Sequence, residues 1–246
     1  FGSRDFDGQF RMKPPQPRRA AASSPLRMAT HLQPPIPIPM LSAAYLATLK
    51  ILLFRAGPAD FPYSEQAGLS RGCIVFGIVA TAAVLGQMLP LTMALASGVV
   101  ATAGLSMFVR TALRLRGLES RYAQTRNALL ATGSVLLLLM SLPMAAIMPA
   151  MTEFLGSLKT AQEALPAGSE PLAIGPDQMP DLPGGASLLL DVLTIWFLAV
   201  TSHVLRNATN LGYFGAGLLA LLLVSNVVLL VAFAGPLLRA IFGGGA

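Results

Sequence analysis

From Gly72 to Val109 the chain runs for 38 residues without a charged side chain, and Arg71 and Arg110 stand at the two ends of the run. A single helix of that length would measure about 57 Å, nearly twice the roughly 30 Å hydrocarbon core of a bilayer. The run therefore has to fold back on itself. Pro90 marks the place, because proline has no N–H to donate and disfavours a helical conformation at Leu89 before it. Division there leaves two spans, 72–89 and 91–109, in a membrane hairpin with both arginine ends on one side.

Composition agrees with a membrane protein. Hydrophobic residues make up 54% of the chain and charged residues 11%, against roughly 25% charged in soluble domains, and the mean hydropathy is +0.65. A net charge of +6 in a soluble chain would invite a nucleic-acid reading. Here the basic residues cluster at the ends of apolar runs and in the N-terminal segment, where membrane topology accounts for them, so nucleic acid is not an expected partner.

Three further apolar runs predict spans at 128–152, 186–205 and 211–238, giving an all-α polytopic fold of five membrane helices. Residues 1–39, rich in Pro and Arg, read as a disordered tail ahead of an integral membrane domain over 40–246. The segment 40–55 is short for a span and carries Lys50 and Arg55. It reads as an interfacial helix, with Leu41, Tyr45, Leu49, Leu52 and Phe54 entering the acyl boundary, and a shallow sixth span is the alternative. Lys50 also interrupts it as a signal peptide. Ser64 with Glu65 offers an N-cap for the first span. Pro143 and Pro149 lie late in the third span, which predicts a helix ending near the interface rather than a kinked gate. The acidic stretch 153–185, with Glu163, Glu170, Asp177 and Asp181, follows as an outer loop.

Arg110, Arg114, Arg116, Arg121 and Arg126 make the loop after the hairpin the most basic internal one, which places it in the cytoplasm together with the N-terminus. These arginines are candidate contacts for anionic lipid head groups or an acidic partner. Small residues recur at four-residue spacing on the hairpin arms, at Cys73, Gly77 and Thr81 and at Ala94, Gly98, Thr102 and Ser106. That spacing lets helix backbones approach closely, and these are the expected packing stripes.

Intramembrane polar residues are the remaining candidates. Asp191, Asn226 and His203 sit within the fourth and fifth spans; a carboxylate at the centre of a span costs roughly 2.5 to 3.5 kcal/mol on insertion scales, though Asp191, about one and a half turns inside the outer end, can stay hydrated or make an interhelical polar contact. His203 lies 12 residues after Asp191, about 18 Å along one helix, so the two do not form an acid–base pair. No phosphate loop, HExxH, CxxC or nucleophile elbow is present in the sequence, and Cys73 is its single cysteine. The expectation is a protein without catalytic residues, metal or cofactor. Its role is read as that of an accessory or scaffold engaging membrane lipids and other membrane proteins. The alternative is a small transporter or channel subunit, with Asp191, Asn226 and the two prolines along a path.

Three segments carry a resemblance: Phe54-Arg55-Ala56-Gly57-Pro58-Ala59-Asp60-Phe61-Pro62-Tyr63-Ser64 before the first span, Gln124-Thr125-Arg126-Asn127-Ala128-Leu129 opening the third, and Ser202-His203-Val204-Leu205-Arg206 ending the fourth. In this order they resemble small bacterial inner-membrane proteins described as similar to the Yip1 family. The resemblance covers roughly residues 40–242 and implies five spans, a cytoplasmic N-terminus and, for the eukaryotic relatives, work through protein partners. The Asp-Leu-Tyr-Gly-Pro pattern of those relatives is absent, with Gly57-Pro58 its one echo, so no functional residue is carried over. Reporter fusions placed after Arg116 and after Lys159 are expected to report opposite faces of the membrane; the same face at both sites would overturn the five-span layout.

Overall fold

The computed structural model describes residues 38–62, 67–163 and 180–242, and every regular element among them is helical. The helices are α1 (Ile38–Leu52), α2 (Ala67–Leu85), α3 (Leu91–Leu115), α4 (Tyr122–Glu163), α5 (Gly184–Thr209) and α6 (Tyr213–Phe242). Helices α2 to α6 are long and apolar enough to cross a membrane, and α1 is shorter. The chain is thus an all-α, multi-pass membrane protein. The N-terminal tail, the Ser64–Glu65 cap and the part of the acidic stretch bearing Glu170 and Asp177 lie outside the described residues.

The five long helices close into a ring. Going round it, α2 touches α3, α3 touches α6, α6 touches α5, α5 touches α4, and α4 returns to α2. Short connections set the directions. The turn at 86–90 reverses α2 into α3, and Gly117 reverses α3 toward α4 with a φ of +67°, a left-handed conformation that glycine adopts without steric cost. Beside it, the Leu118 N–H reaches the Leu113 carbonyl at 2.9 Å and the Gly117 N–H the Arg114 carbonyl at 3.0 Å, the paired bonds that close a helix end. By this connectivity Arg71, Arg110, Arg114, Arg126 and Arg206 gather at one end of the bundle. Asp191 and Lys159 belong to the other half.

Close backbone approach draws the ring together, because apolar burial gives no net driving force between helices already surrounded by lipid. A Cβ added to Gly98 would lie 2.6 Å from the Ile78 carbonyl oxygen, so α2 and α3 meet backbone to backbone there. Ala94, one turn earlier, is fully buried. Gly77 serves a different contact: its missing Cβ makes room for Leu130 of α4, at 2.9 Å, as well as for the Thr102 hydroxyl at 3.4 Å. Thr81 turns back to donate to the Gly77 carbonyl. Gly104, outside the stripes read from the sequence, receives Leu230 of α6.

The expected end of the third span is corrected. Helix α4 continues through both Pro143 and Pro149 to Glu163, 42 residues in all, so the stretch 153–163 is helix rather than loop. A proline inside a helix removes one intrahelical bond and crowds the carbonyl four residues back. Helix-forming residues on both sides keep the helix going, and Gln87 of the α2–α3 turn adds an outside donor to α4 by bonding the Ser141 carbonyl. Beyond the prolines, Lys159 and Glu163 face each other one turn apart at 3.9 Å.

Substituting Gly98 with Ala is expected to destabilise the protein by about 1–3 kcal/mol, because the obstacle is backbone and two helices must separate. Gly104→Ala is expected to cost less, since the neighbour there is the end of a flexible leucine. Thermal unfolding of both variants in one detergent checks the order.

Candidate functional site

A helix ending against the apolar interior of a membrane bundle needs partners for its last carbonyls, since no bulk water is there to supply them. Helix α1 finds four. The N–H groups of Leu53, Arg55 and Phe54 bond the carbonyls of Leu49, Lys50 and Ile51 at 3.1, 2.8 and 2.9 Å. The fourth carbonyl, Leu52, accepts the indole N–H of Trp196 at 3.1 Å. Trp196 sits near the midpoint of α5, about 18 to 20 Å from either end of that helix. Helix α1 therefore ends level with the middle of α5, and it buries Ala44, Ala47, Thr48, Ile51 and Leu52 where it packs on α4 and α5. The interfacial reading of 40–55 is corrected for Leu52, which belongs to the core. Leu41, Tyr45, Leu49 and Phe54 do face outward.

Closing α1 in this way forces Phe54 to a φ of +57°, a left-handed conformation that costs a residue with a side chain roughly 1–2 kcal/mol. Its ring meets the His203 imidazole edge to face at 5.3 Å, a contact that offsets part of that strain. From there the chain descends along α5 toward the arginine end. The Ala56 carbonyl lies 2.9 Å from His203 Nε2, and Gly57 packs against the Asn207 side chain, where a Cβ would make ordinary van der Waals contact. A short 3₁₀ turn, Pro58–Asp60, is closed by the Gly57 N–H donating to the Asp60 carboxylate at 2.8 Å. Phe61 is buried, and its carbonyl accepts from the Gln124 amide of α4.

The imidazole geometry fixes a protonation pattern. A carbonyl only accepts, so His203 Nε2 carries the proton and donates it to Ala56. Asn207 stands 3.1 Å from the same nitrogen, and its amide oxygen is the atom compatible with that proton. His203 is thus a structural tie between α5 and the 53–57 segment. The three segments that carried the family resemblance converge here, at Phe54 to Phe61, Gln124 and His203.

Arginines close the lower edge of this seam. Arg121 donates through Nη1 to the carbonyls of Asn207 and Ala208 at 3.3 Å each and to the Asn210 side chain at 3.4 Å. Arg116 reaches the Thr209 carbonyl at 3.5 Å. These are the unpaired carbonyls at the negative end of the α5 dipole, where a cation is most stabilising. Arg126 points inward to Ser70 and Asn127 and lies over the Tyr122 ring. Arg206 stacks on Tyr213 at 3.8 Å. Of the five loop arginines proposed for lipid or partner contact, Arg116, Arg121 and Arg126 are engaged within the chain. Arg114 pairs with exposed Glu119 at 3.4 Å, and Arg110 is exposed with no ion pair among the described residues.

Asp191 and Asn226 do not meet each other or line an internal path. Both are exposed, on the outer faces of α5 and α6. Inside the ring lies a half-open cavity of about 210 Å³, bordered by residues of α2, α3, α4, α5 and α6 and almost wholly apolar. Among the described residues no cluster of His, Cys, Asp and Glu could hold a metal ion.

The patterns of charge and spacing that mark the spans do not single out Trp196 or Asn207. The available signal was the indole N–H, which in an apolar span needs an acceptor. No family model, curated protein or solved structure matches the chain.

Trp196→Phe removes the donor to Leu52 and is expected to cost about 1–3 kcal/mol, the price of an unpaired buried carbonyl. Hydrogen exchange should rise over residues 53–57 in this variant and in His203→Ala, and stay unchanged there in Asp191→Asn.

Proposed function

We propose that this protein is a non-enzymatic accessory or scaffold of a bacterial inner membrane, which engages other membrane proteins through the outer faces of α5 and α6. The observation that carries this reading is the position of Asp191 and Asn226. Both polar side chains lie on the outside of the bundle, among exposed Leu188, Val192, Ile195 and Val228. A carboxylate facing lipid is costly. A neighbouring protein that supplies donors to Asp191 relieves that cost, whereas a transport pathway would draw the same residues inward. The apolar lining of the central cavity argues in the same direction.

Arg110, exposed at the basic end with no ion pair among the described residues, is the loop arginine open to anionic head groups, and in this reading that end and the N-terminus face the cytoplasm. The resemblance to bacterial Yip1-like proteins supports the same placement and a role through protein partners.

A photocrosslinking amino acid at Ile195, in cells, tests the reading. Discrete protein adducts are expected, and Asp191→Leu should reduce them several-fold while ion flux through reconstituted vesicles stays unchanged. Adducts that persist in Asp191→Leu, together with a flux abolished by Asp191→Asn, would replace the scaffold with a transporter.

A further inference from the structure

Threonine within a helix satisfies its hydroxyl by donating to the carbonyl four residues back. In this chain that holds for the threonines past the first turn of every described helix, from Thr48 in α1 to Thr209 in α5, with two exceptions. Thr102 of α3 and Thr201 of α5 make no hydrogen bond among the described residues, although they are 6% and 5% exposed. Both line the central cavity. Their hydroxyls have no protein acceptor and open onto the pocket, which thus collects two free donors from different helices.

We infer that the cavity is a binding site for an uncharged lipophilic carbonyl compound, whose oxygen accepts from the hydroxyl of Thr102 or of Thr201. Its size suits an aromatic ring: about 210 Å³ exceeds the roughly 150 Å³ of an apolar protein cavity known to admit benzene. The surroundings exclude a charged head group, since the other lining residues are apolar or, like Ser134, already bonded within their own helix. Depth excludes the ester region of a phospholipid as well, because Thr102 lies about 20 Å from the basic end of α3 and Thr201 about 12 Å from that of α5. Entry is from the bilayer: Val228, on the cavity wall, is 60% exposed on the outer face of α6.

Benzophenone is the probe, because its carbonyl is both the recognition element and, when illuminated, the group that adds across a neighbouring C–H bond, carbon to carbon and hydrogen to oxygen. The full chain is reconstituted in phosphatidylethanolamine and phosphatidylglycerol vesicles, labelled, and mapped by mass spectrometry. Saturable adducts are expected on cavity residues such as Leu130, Phe197 and Leu223. Diphenylmethane, the same shape without the oxygen, should compete at least threefold less well than unlabelled benzophenone. Either Thr102→Val or Thr201→Val should lower labelling about three- to tenfold, the factor expected for one neutral hydrogen bond, with the serine variant at that position retaining it. Ala101→Leu, which fills the cavity, should abolish it. Non-saturable labelling confined to lipid-facing residues such as Val75 and Phe233, equal competition by diphenylmethane, or full labelling in both valine variants would overturn the assignment.

Discussion

Backbone polar groups inside an apolar environment have to be satisfied by the protein itself, and much of this architecture follows from that demand. Five helices meet it internally along their lengths, so the difficulty is concentrated at helix ends and at the irregular segment between α1 and α2. There the chain brings in side chains from elsewhere. Trp196 serves the last carbonyl of α1, His203 and Gln124 serve the carbonyls of the descending segment, and two arginines serve the end of α5. These side chains come from α4, from α5 and from the basic loop that leads into α4. The seam therefore joins parts of the chain that are distant in sequence, and it defines how α1 sits on the bundle.

Packing and electrostatics divide the work of holding the helices together. Across the α2–α3 contact the missing side chain of Gly98 brings two backbones together, and dispersion over that close surface does what hydrophobic burial cannot do in lipid. At the basic end the guanidinium groups of Arg116 and Arg121 span from the α3–α4 connection to the α5–α6 turn, linking two hairpins that the chain connects only through α4. One loop thus carries a topological signal and a structural clasp with the same residues. Arg116 and Arg121, exposed at this end, bond the last carbonyls of α5 as well.

The helical architecture was legible in the sequence because its cause is one-dimensional: uncharged runs of the right length, divided at Pro90, give the spans directly. The small residues at Gly98 and Ala94 were legible for the same reason, since spacing along a helix fixes a face. What could not be read was which face meets which helix. Gly77 was placed on the α2–α3 seam but also faces α4, and Gly104 meets α6, because the ring order is a property of three-dimensional closure. The side of Asp191 and Asn226 was hidden likewise; depth in a span is visible in a sequence, but the direction around the helix axis is not. The continuation of α4 past two prolines came from helix-forming flanks, which the prolines masked in the sequence.

The ring order has a consequence for biosynthesis. Helix α6 emerges from the ribosome after the other four long helices, yet its place is between α3 and α5, so those four form an arc with an unfilled side. Until α6 inserts, the glycine face of α3 at Gly104 is left to lipid, and the pocket has no wall at Val224, Val227 and Val228. Helix α6 is therefore the keystone of the ring, and during synthesis the nascent bundle must remain tolerant of lipid in the position that this later helix will claim.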